Sequence, residues 1–331
     1  MAKVLLPHPL DDMILLYGRG LLDRLDPLAS LVLNEDGRHW SAEEVIDRAG
    51  DCDVILSFGV TPAGSDLFAA LQRLRAFMRW AVDIRNIDVT AASAAGVLVT
   101  RGPAAFASGV SELILGLMLD LTRGIATATE SYRRGVVPAP AITRDLRGAK
   151  LGVIGYGQIA RYLCEVAQAL GMRILVNDPY TPVEGEGIVA VDRARLLAES
   201  DYVVCLATAT PETENMMDAA AFAAMKPTAY FINVSRGNLV NEADLKAALD
   251  AGTIAGAGLD VGRAHRQMPS LELARHPRVV ATPHIGGLTP NSLELQHDEA
   301  ARQLQAILAG TMPERAVNPA QATRLDPAWR A

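Results

Sequence analysis

Residues 150–161 read KLGVIGYGQIAR, and the fold turns on this stretch. Leu151 to Ile154 is a short apolar run of strand type. Gly155, Gly157 and Ala160 follow at the spacing G-x-G-x-x-A. A helical pattern begins at once with Ile159, Leu163, Val166 and Leu170, and Gly171 closes it. A second apolar run, 173–177, ends on Asp178. Strand, glycine turn, helix, strand and acid in this order suit a dinucleotide. Gly155 permits the tight turn, Gly157 lets a pyrophosphate approach the backbone, and Ala160 lets the helix pack close to its strand. The helix start offers unpaired N–H groups to phosphate charge.

Asp178 specifies which dinucleotide. A carboxylate at this point accepts from ribose hydroxyls and repels a 2′-phosphate, and no Arg or Lys lies between Pro179 and Val191 to bind one. The expected cofactor is therefore NAD rather than NADP. An ordinary glycine turn in an α/β protein would leave Asp178 unexplained.

The chain has 331 residues, enough for two domains. Half are apolar and 21% charged, ordinary values for a globular protein. A net charge of −7 argues against general nucleic-acid or anionic-membrane binding. Cys52, Cys164 and Cys205 are odd in number, far apart and set in apolar stretches. They read as free thiols in a reducing compartment, and the expected location is the cytoplasm. A strand starts directly at Lys3, without a signal-peptide pattern. No apolar run is long enough for a membrane span, and no metal site is expected. The tail after Asn318 is polar and Pro-containing, and is expected to be loosely held.

The first hundred residues alternate strands at 4–6, 28–33, 54–58 and 75–80 with helices at 14–25, 42–48 and 65–71, the second capped by Ser41. Residues 108–122 form an apolar helix, buried in the fold or against another subunit. Residues 127–146 are polar, basic and interrupted by prolines, and read as a connecting arm. From Lys150 the βα alternation resumes, with strands at 202–206, 229–234, 256–261 and 279–282. Helices are expected at 219–225, 242–251 and about 291–310. The order implies two domains with open parallel sheets, one of them Rossmann-type and doubly wound.

In such sheets ligands bind beyond the carboxyl ends of the strands. Three groups stand there: Ser235-Arg236-Gly237, Asp260, and Pro283-His284-Ile285-Gly286-Gly287. Arg236 suits a forked pair with a carboxylate and polarisation of a carbonyl; the plainer reading is a solvated surface Arg. Among six histidines, only His284 sits at a strand end between small residues, which leave room for a substrate. A His titrates near neutrality, so it can take or return the hydroxyl proton that accompanies hydride transfer. Asp260 is expected to hold the nicotinamide carboxamide, or else to cap the following turn. Gln158, Ile159, Thr208, Val234 and Gly287, beside these groups, join Gly155, Gly157, Asp178, Arg236, Asp260 and His284 as expected cofactor contacts.

These motifs together resemble the D-isomer-specific 2-hydroxyacid dehydrogenases, which include phosphoglycerate, glycerate, D-lactate, formate and phosphonate dehydrogenases. The resemblance runs from about Val54 to Pro319. It rests on Asn86-Ile87-Asp88, the 153–159 turn, Thr210-Pro211-Glu212-Thr213, Met225-Lys226-Pro227, FINVSRGNLV (231–240), AGAGLDV (255–261), TPHIGG (282–287) and Val317-Asn318-Pro319. It implies a flavodoxin-like, discontinuous substrate domain (1–101 with 285–331) around a central NAD domain (102–284), and a homodimer. It makes Arg236 the substrate-binding, carbonyl-polarising Arg and His284 the acid/base. The backbone of a loop at Ala81, Val82 and Asp83 would receive the substrate carboxylate.

Three departures stand out. The family usually places a Glu five residues after the Asp of AGAGLDV, where it hydrogen-bonds the catalytic His. Here that position is His265, the third expected catalytic residue, and a His cannot stabilise an imidazolium as a carboxylate does. Asp83 replaces a glycine beside the carboxylate site and would repel the substrate unless it points away or pairs with Arg85. Phe106 stands where the family often has an Asn near the nicotinamide. Such changes are either drift or a changed substrate. The expected activity is hydride transfer between NAD and C2 of a D-2-hydroxy or 2-oxo acid, bound in a closing cleft. The alternative is an NAD(H)-binding sensor resembling the corepressors of this superfamily, with little or no turnover.

Overall fold

The computed structural model describes residues 1–59 and 61–326. The chain forms two compact units, Met1–Ala105 with Pro290–Ala331, and Phe106–Thr289. The two crossings thus fall four or five residues beyond the expected 102 and 285.

In the first unit five parallel strands, β1 (Lys3–Pro9), β2 (Ser30–Asn34), β3 (Val54–Ser57), β4 (Ala76–Arg79) and β5 (Leu98–Thr100), lie in the order β2-β1-β3-β4-β5. That is the flavodoxin-like arrangement. Side chains alternate across the sheet, so each strand feeds two cores. Val4, Leu6, Leu56 and Met78 meet Leu21, Leu22, Leu25, Leu304 and Ile307 on one face. Leu5, Ile55, Phe77 and Val99 meet Val45, Leu67 and Phe68 on the other. Each such side chain, when fully buried, contributes roughly 1.5–3 kcal/mol. The helix Pro290–Leu308 returns from the far end of the chain to cover the first face.

Ser41 caps the helix Ala42–Ala49 through a reciprocal pair: its Oγ accepts the Glu44 N–H at 3.2 Å, and Glu44 accepts the Ser41 N–H at 2.8 Å. The helix expected over 14–25 is two, Leu10–Tyr17 and Gly20–Leu25. Gly18 adopts φ +72° and ends the first. The helix Val89–Ala94, capped by Asp88, and strand β5 were not expected. The tail is pinned as far as Asp326. Arg324 donates to the Leu71 and Leu74 carbonyls at 2.8 and 3.0 Å, and Leu325 is buried. The remainder of the tail, 327–331, lies outside the described residues.

The second unit holds seven parallel strands: β6 (Lys150–Ile154), β7 (Arg173–Asn177), β8 (Ile188–Ala190), β9 (Tyr202–Cys205), β10 (Tyr230–Asn233), β11 (Gly256–Leu259) and β12 (Val279–Ala281). Their order is β12-β11-β10-β9-β6-β7-β8, the doubly wound Rossmann pattern with one extra strand. The apolar helix Ala107–Arg123 buries Val110, Ile114, Leu117 and Met118 in the same core as Val153, Val204 and Ile232. Part of the expected arm is helical, Ile125–Arg133. Strand β8 and the helix Arg193–Glu199 escaped the sequence reading because the strand has three half-exposed or exposed residues and no apolar period. Asp192 caps that helix by accepting the Arg195 N–H at 2.7 Å.

Candidate active site

Strand register gathers the second unit's site. Ile154, Cys205, Asn233, Leu259 and Ala281 lie side by side across β6, β9, β10, β11 and β12. The chain leaves that row at Gly155, Leu206, Val234, Asp260 and Thr282. The glycine turn, Thr208, Val234 to Arg236, Asp260 and His284 therefore all emerge at one sheet edge. The strand order reverses between β6 and β9, the point where open α/β sheets bind ligands.

The glycine turn fits a dinucleotide on two counts. Gly155 has φ +93°, and a Cβ there would sit 2.8 Å from Ala207 N and from the Leu206 carbonyl. Gly157 has an ordinary φ of −80°, and a Cβ there would meet nothing within 4 Å. The protein itself does not demand a glycine at 157, and the space beside it is open to a ligand. No side chain caps the helix Gln158–Ala169, so its first N–H groups face outward, beside exposed Gln158 and half-buried Ile159. Asp178 accepts from Tyr156 N at 2.7 Å and from Tyr180 N and Thr181 N at 2.8 and 2.9 Å. Burial works to raise its carboxyl, but the three backbone donors win and hold it below the usual range. The Thr181 side chain also donates to it, so the carboxylate stays ionised just beyond the end of β7.

Arg236 stands on a loop organised by Asn233, whose amide accepts from Ser235 N at 3.1 Å and donates to the Arg236 carbonyl at 2.9 Å. Ser235 Oγ donates to the Ala207 carbonyl at 2.8 Å, tying the β9 and β10 loops together. The guanidinium donates through Nη1 to the Ser235 carbonyl at 2.8 Å. Val234 is a buried core residue below the loop, and Thr208 is exposed on the neighbouring one.

Asp260 is 2% exposed. It accepts from Thr282 Oγ1 at 2.6 Å, Ile285 N at 2.8 Å and Gly286 N at 2.9 Å. Its carboxylate is thus engaged with the segment around His284, and capping is the observed role. The small residues after His284 also serve packing. A Cβ on Gly287 would lie 2.6 Å from Phe106 Cδ1, and one on Gly286 would lie 3.0 Å from Asp260 Oδ2. Here they make room for Phe106 and Asp260.

His284 is half-buried, with its backbone in the left-handed region at φ +58°. Its Nδ1 is 2.9 Å from the Arg266 carbonyl. His265, at the position expected to replace the family Glu, is exposed. The group facing its Nδ1 is the backbone carbonyl of the next residue, Arg266, for which no side-chain pattern gives a signal.

In the first unit, Asp83 is paired with Arg85, which donates from Nη2 to Oδ2 at 2.7 Å and from its backbone N to Oδ1 at 3.1 Å. Ala81 is half-buried and Val82 exposed beside it. Sequence reading missed Arg79, 1% exposed at the end of β4, which donates to the Asn86 side chain. Burial pushes its guanidinium down to about 10, against the nearby charge of Asp83. All three cysteines are unpaired and buried; burial pushes the Cys52 thiol up to about 11 and those of Cys164 and Cys205 to about 12.

Fold and site together define a dinucleotide-binding protein with a separate flavodoxin-like unit. Residues 115–286 match the D-isomer specific 2-hydroxyacid dehydrogenase, NAD binding domain. The chain is 32% identical over 325 residues to a D-3-phosphoglycerate dehydrogenase of Methanocaldococcus jannaschii, covering 96% of this chain and 60% of that one. It is 31% identical over 305 residues to a glyoxylate reductase of Korarchaeum cryptofilum, covering 90% and 92%. Its fold matches D-lactate dehydrogenase of Aquifex aeolicus, complexed with NAD and lactic acid, with a TM-score of 0.79, 25% identity and coverage of 96% and 99%. The chain belongs to the D-isomer-specific 2-hydroxyacid dehydrogenase family. It spans 60% and 56% of the lengths of two curated phosphoglycerate dehydrogenases that it matches.

Proposed function

We propose that this chain is an NAD-dependent dehydrogenase that interconverts a D-2-hydroxy acid and its 2-oxo acid. The observation carrying this is the shared sheet edge from which the glycine turn, Arg236 and His284 all emerge. When bound, NAD supplies the carbon that accepts or returns a hydride. Gly155, Gly157, Gln158, Ile159 and Asp178 would hold it, with Thr208 and Gly287 beside it. Arg236 would pair with the substrate carboxylate and the reacting oxygen, drawing charge onto that oxygen. A carbonyl oxygen only accepts, so His284 Nδ1 carries a proton and donates it to Arg266. The neutral ring then presents the Nε2 lone pair, which takes the hydroxyl proton in oxidation and returns it in reduction.

Asp83 lies on the loop assigned to the substrate carboxylate (Ala81, Val82, Asp83). Its pairing with Arg85 lowers the repulsion an anion would meet there. The exposed apolar residues Val136, Val137 and Ile142 support a homodimer contact through the stretch after Arg133, which light scattering on the purified protein tests. Three unpaired buried thiols support a reducing, cytoplasmic location; microscopy of a tagged chain tests it.

The deciding assay follows NADH consumption against a panel of 2-oxo acids, with His284→Ala as control. Turnover abolished by the substitution supports the dehydrogenase. Tight NADH binding without turnover of any acid overturns it in favour of a sensor.

A further inference from the structure

We infer that the main-chain carbonyl of Arg266, held by a left-handed turn at Arg266 and Gln267, is the positioning group that sets the tautomer of His284. The inference rests on the dehydrogenase reading for its consequence, though not for its geometry. The Nδ1–H of His284 donates to this carbonyl at 2.9 Å, which leaves Nε2 as the unprotonated nitrogen of the neutral ring. A ring flipped or protonated at Nε2 has no lone pair there to offer.

The carbonyl points at the ring because of an uncommon backbone. Arg266 and Gln267 have φ of +56° and +57° in succession, and neither is glycine. His284 itself has φ +58°. Three of the four non-glycine residues with positive φ among the described residues thus lie on the two segments this hydrogen bond joins. Left-handed geometry is unfavourable for an L-residue, so surrounding contacts must impose it.

Those contacts are present. The turn closes on itself through Gly262 N to the Gln267 carbonyl at 2.9 Å and Ala264 N to the Met268 carbonyl at 3.1 Å. Arg263 anchors it outward: its Nη2 donates to Glu214 at 2.8 Å, to Asn215 Oδ1 at 2.6 Å and to the Asn238 carbonyl at 3.0 Å. The Arg263 backbone N donates to Glu242 at 2.8 Å. Asp260 accepts from the Thr282 hydroxyl before His284 and from the Ile285 N–H after it, so the segment carrying the ring is held as well as its acceptor.

The φ of residue 267 sets the plane of the peptide that carries this carbonyl. Gly tolerates φ near +57°, whereas a β-branched residue does not. The test uses ¹⁵N-histidine-labelled protein without cofactor or substrate, with the His284 ring signals assigned through His284→Asn. Wild type and Gln267→Gly should both show the neutral ring protonated at Nδ1. Gln267→Val should shift the ring toward the Nε2-protonated form, and should lower kcat by at least about tenfold with KM changed less. A wild-type ring protonated at Nε2, or a folded Gln267→Val with the wild-type tautomer, overturns the proposal. Should Gln267→Val fail to fold, the wild-type and Gln267→Gly spectra still decide. Because the ring signals are read without substrate, an inactive protein with the Nδ1 tautomer would sink the dehydrogenase reading and leave this one standing.

Discussion

The buried carboxylate of Asp260 accepts the N–H of Ile285 at 2.8 Å, one residue beyond His284. With its bonds to Thr282 and Gly286 it brackets the histidine from both sides. Asp260→Ala would strand the half-buried Thr282 hydroxyl, the Ile285 N–H and the buried Gly286 N–H, the last at about 1–3 kcal/mol. The variant should unfold at a distinctly lower urea midpoint. Any folded fraction should show a lower kcat, because His284 loses its anchored φ of +58°. A midpoint and kcat both matching wild type would mean that the carboxylate clamps nothing.

The two glycines of the cofactor turn should fail in opposite ways. Gly155→Ala forces a Cβ to 2.8 Å from backbone atoms at φ +93°, so it should cost well over about 1 kcal/mol in stability. Gly157→Ala meets no protein atom and loses only a favourable helix cap, about 1 kcal/mol or less. It should melt near wild type yet bind NADH poorly. Calorimetry and NADH fluorescence titration on both variants check this; normal NADH affinity in Gly157→Ala would remove the ligand explanation for that glycine.

Acid should weaken the first unit through Glu44. Hydrogen bonding from Arg38, then from the Ser41 N–H, holds this half-buried carboxyl at about 2, below its ordinary 4.5. A group depressed on folding stabilises the native state above its unfolded value, and loses that contribution as pH falls toward its folded value. The effect therefore fades between about 4.5 and about 2. Glu199, held at about 2 by Lys150 and Arg195, acts with the same sign in the second unit. Glu44→Gln should show a shallower fall of urea midpoint across that window than wild type, and an unchanged slope would contradict the assignment.

Arg79 invites a stabilising substitution. It is 1% exposed, and its Nε and Nη1 have no hydrogen-bond partner among the described residues. Burying a charge that is poorly compensated is costly, and an apolar side chain of similar length removes that cost while stranding only the Asn86 oxygen that Arg79 donates to. Arg79→Met should unfold at an equal or higher urea midpoint. A clear loss of stability would show that the guanidinium has a partner that matters.

How much was legible in the chain depended on how local the cause was. The glycine spacing, the strand ahead of it and Asp178 behind it are neighbours in sequence, and their geometry follows from φ, sterics and helix periodicity. The Ser41 cap was readable for the same reason, since Glu44 lies three residues away. The break at Gly18 is also local but was hidden, because the apolar pattern continues across it into Leu21, Leu22 and Leu25. Strand β8 was illegible: an edge strand with exposed residues carries neither an apolar run nor alternation.

By itself the sequence determined the two α/β units, the turn for a dinucleotide, and the strand ends at which an Arg and a His emerge. Those depend on residue type and spacing within one βα unit. Only the tertiary structure decided what holds the His. Its ring meets a main-chain carbonyl from eighteen positions earlier, not the neighbouring side chain of His265, and Asp260 grips the backbone around it. A carbonyl is common to every residue and leaves no mark in the letters of a sequence. Its direction is set by two left-handed dihedrals that only the packing of distant segments can impose.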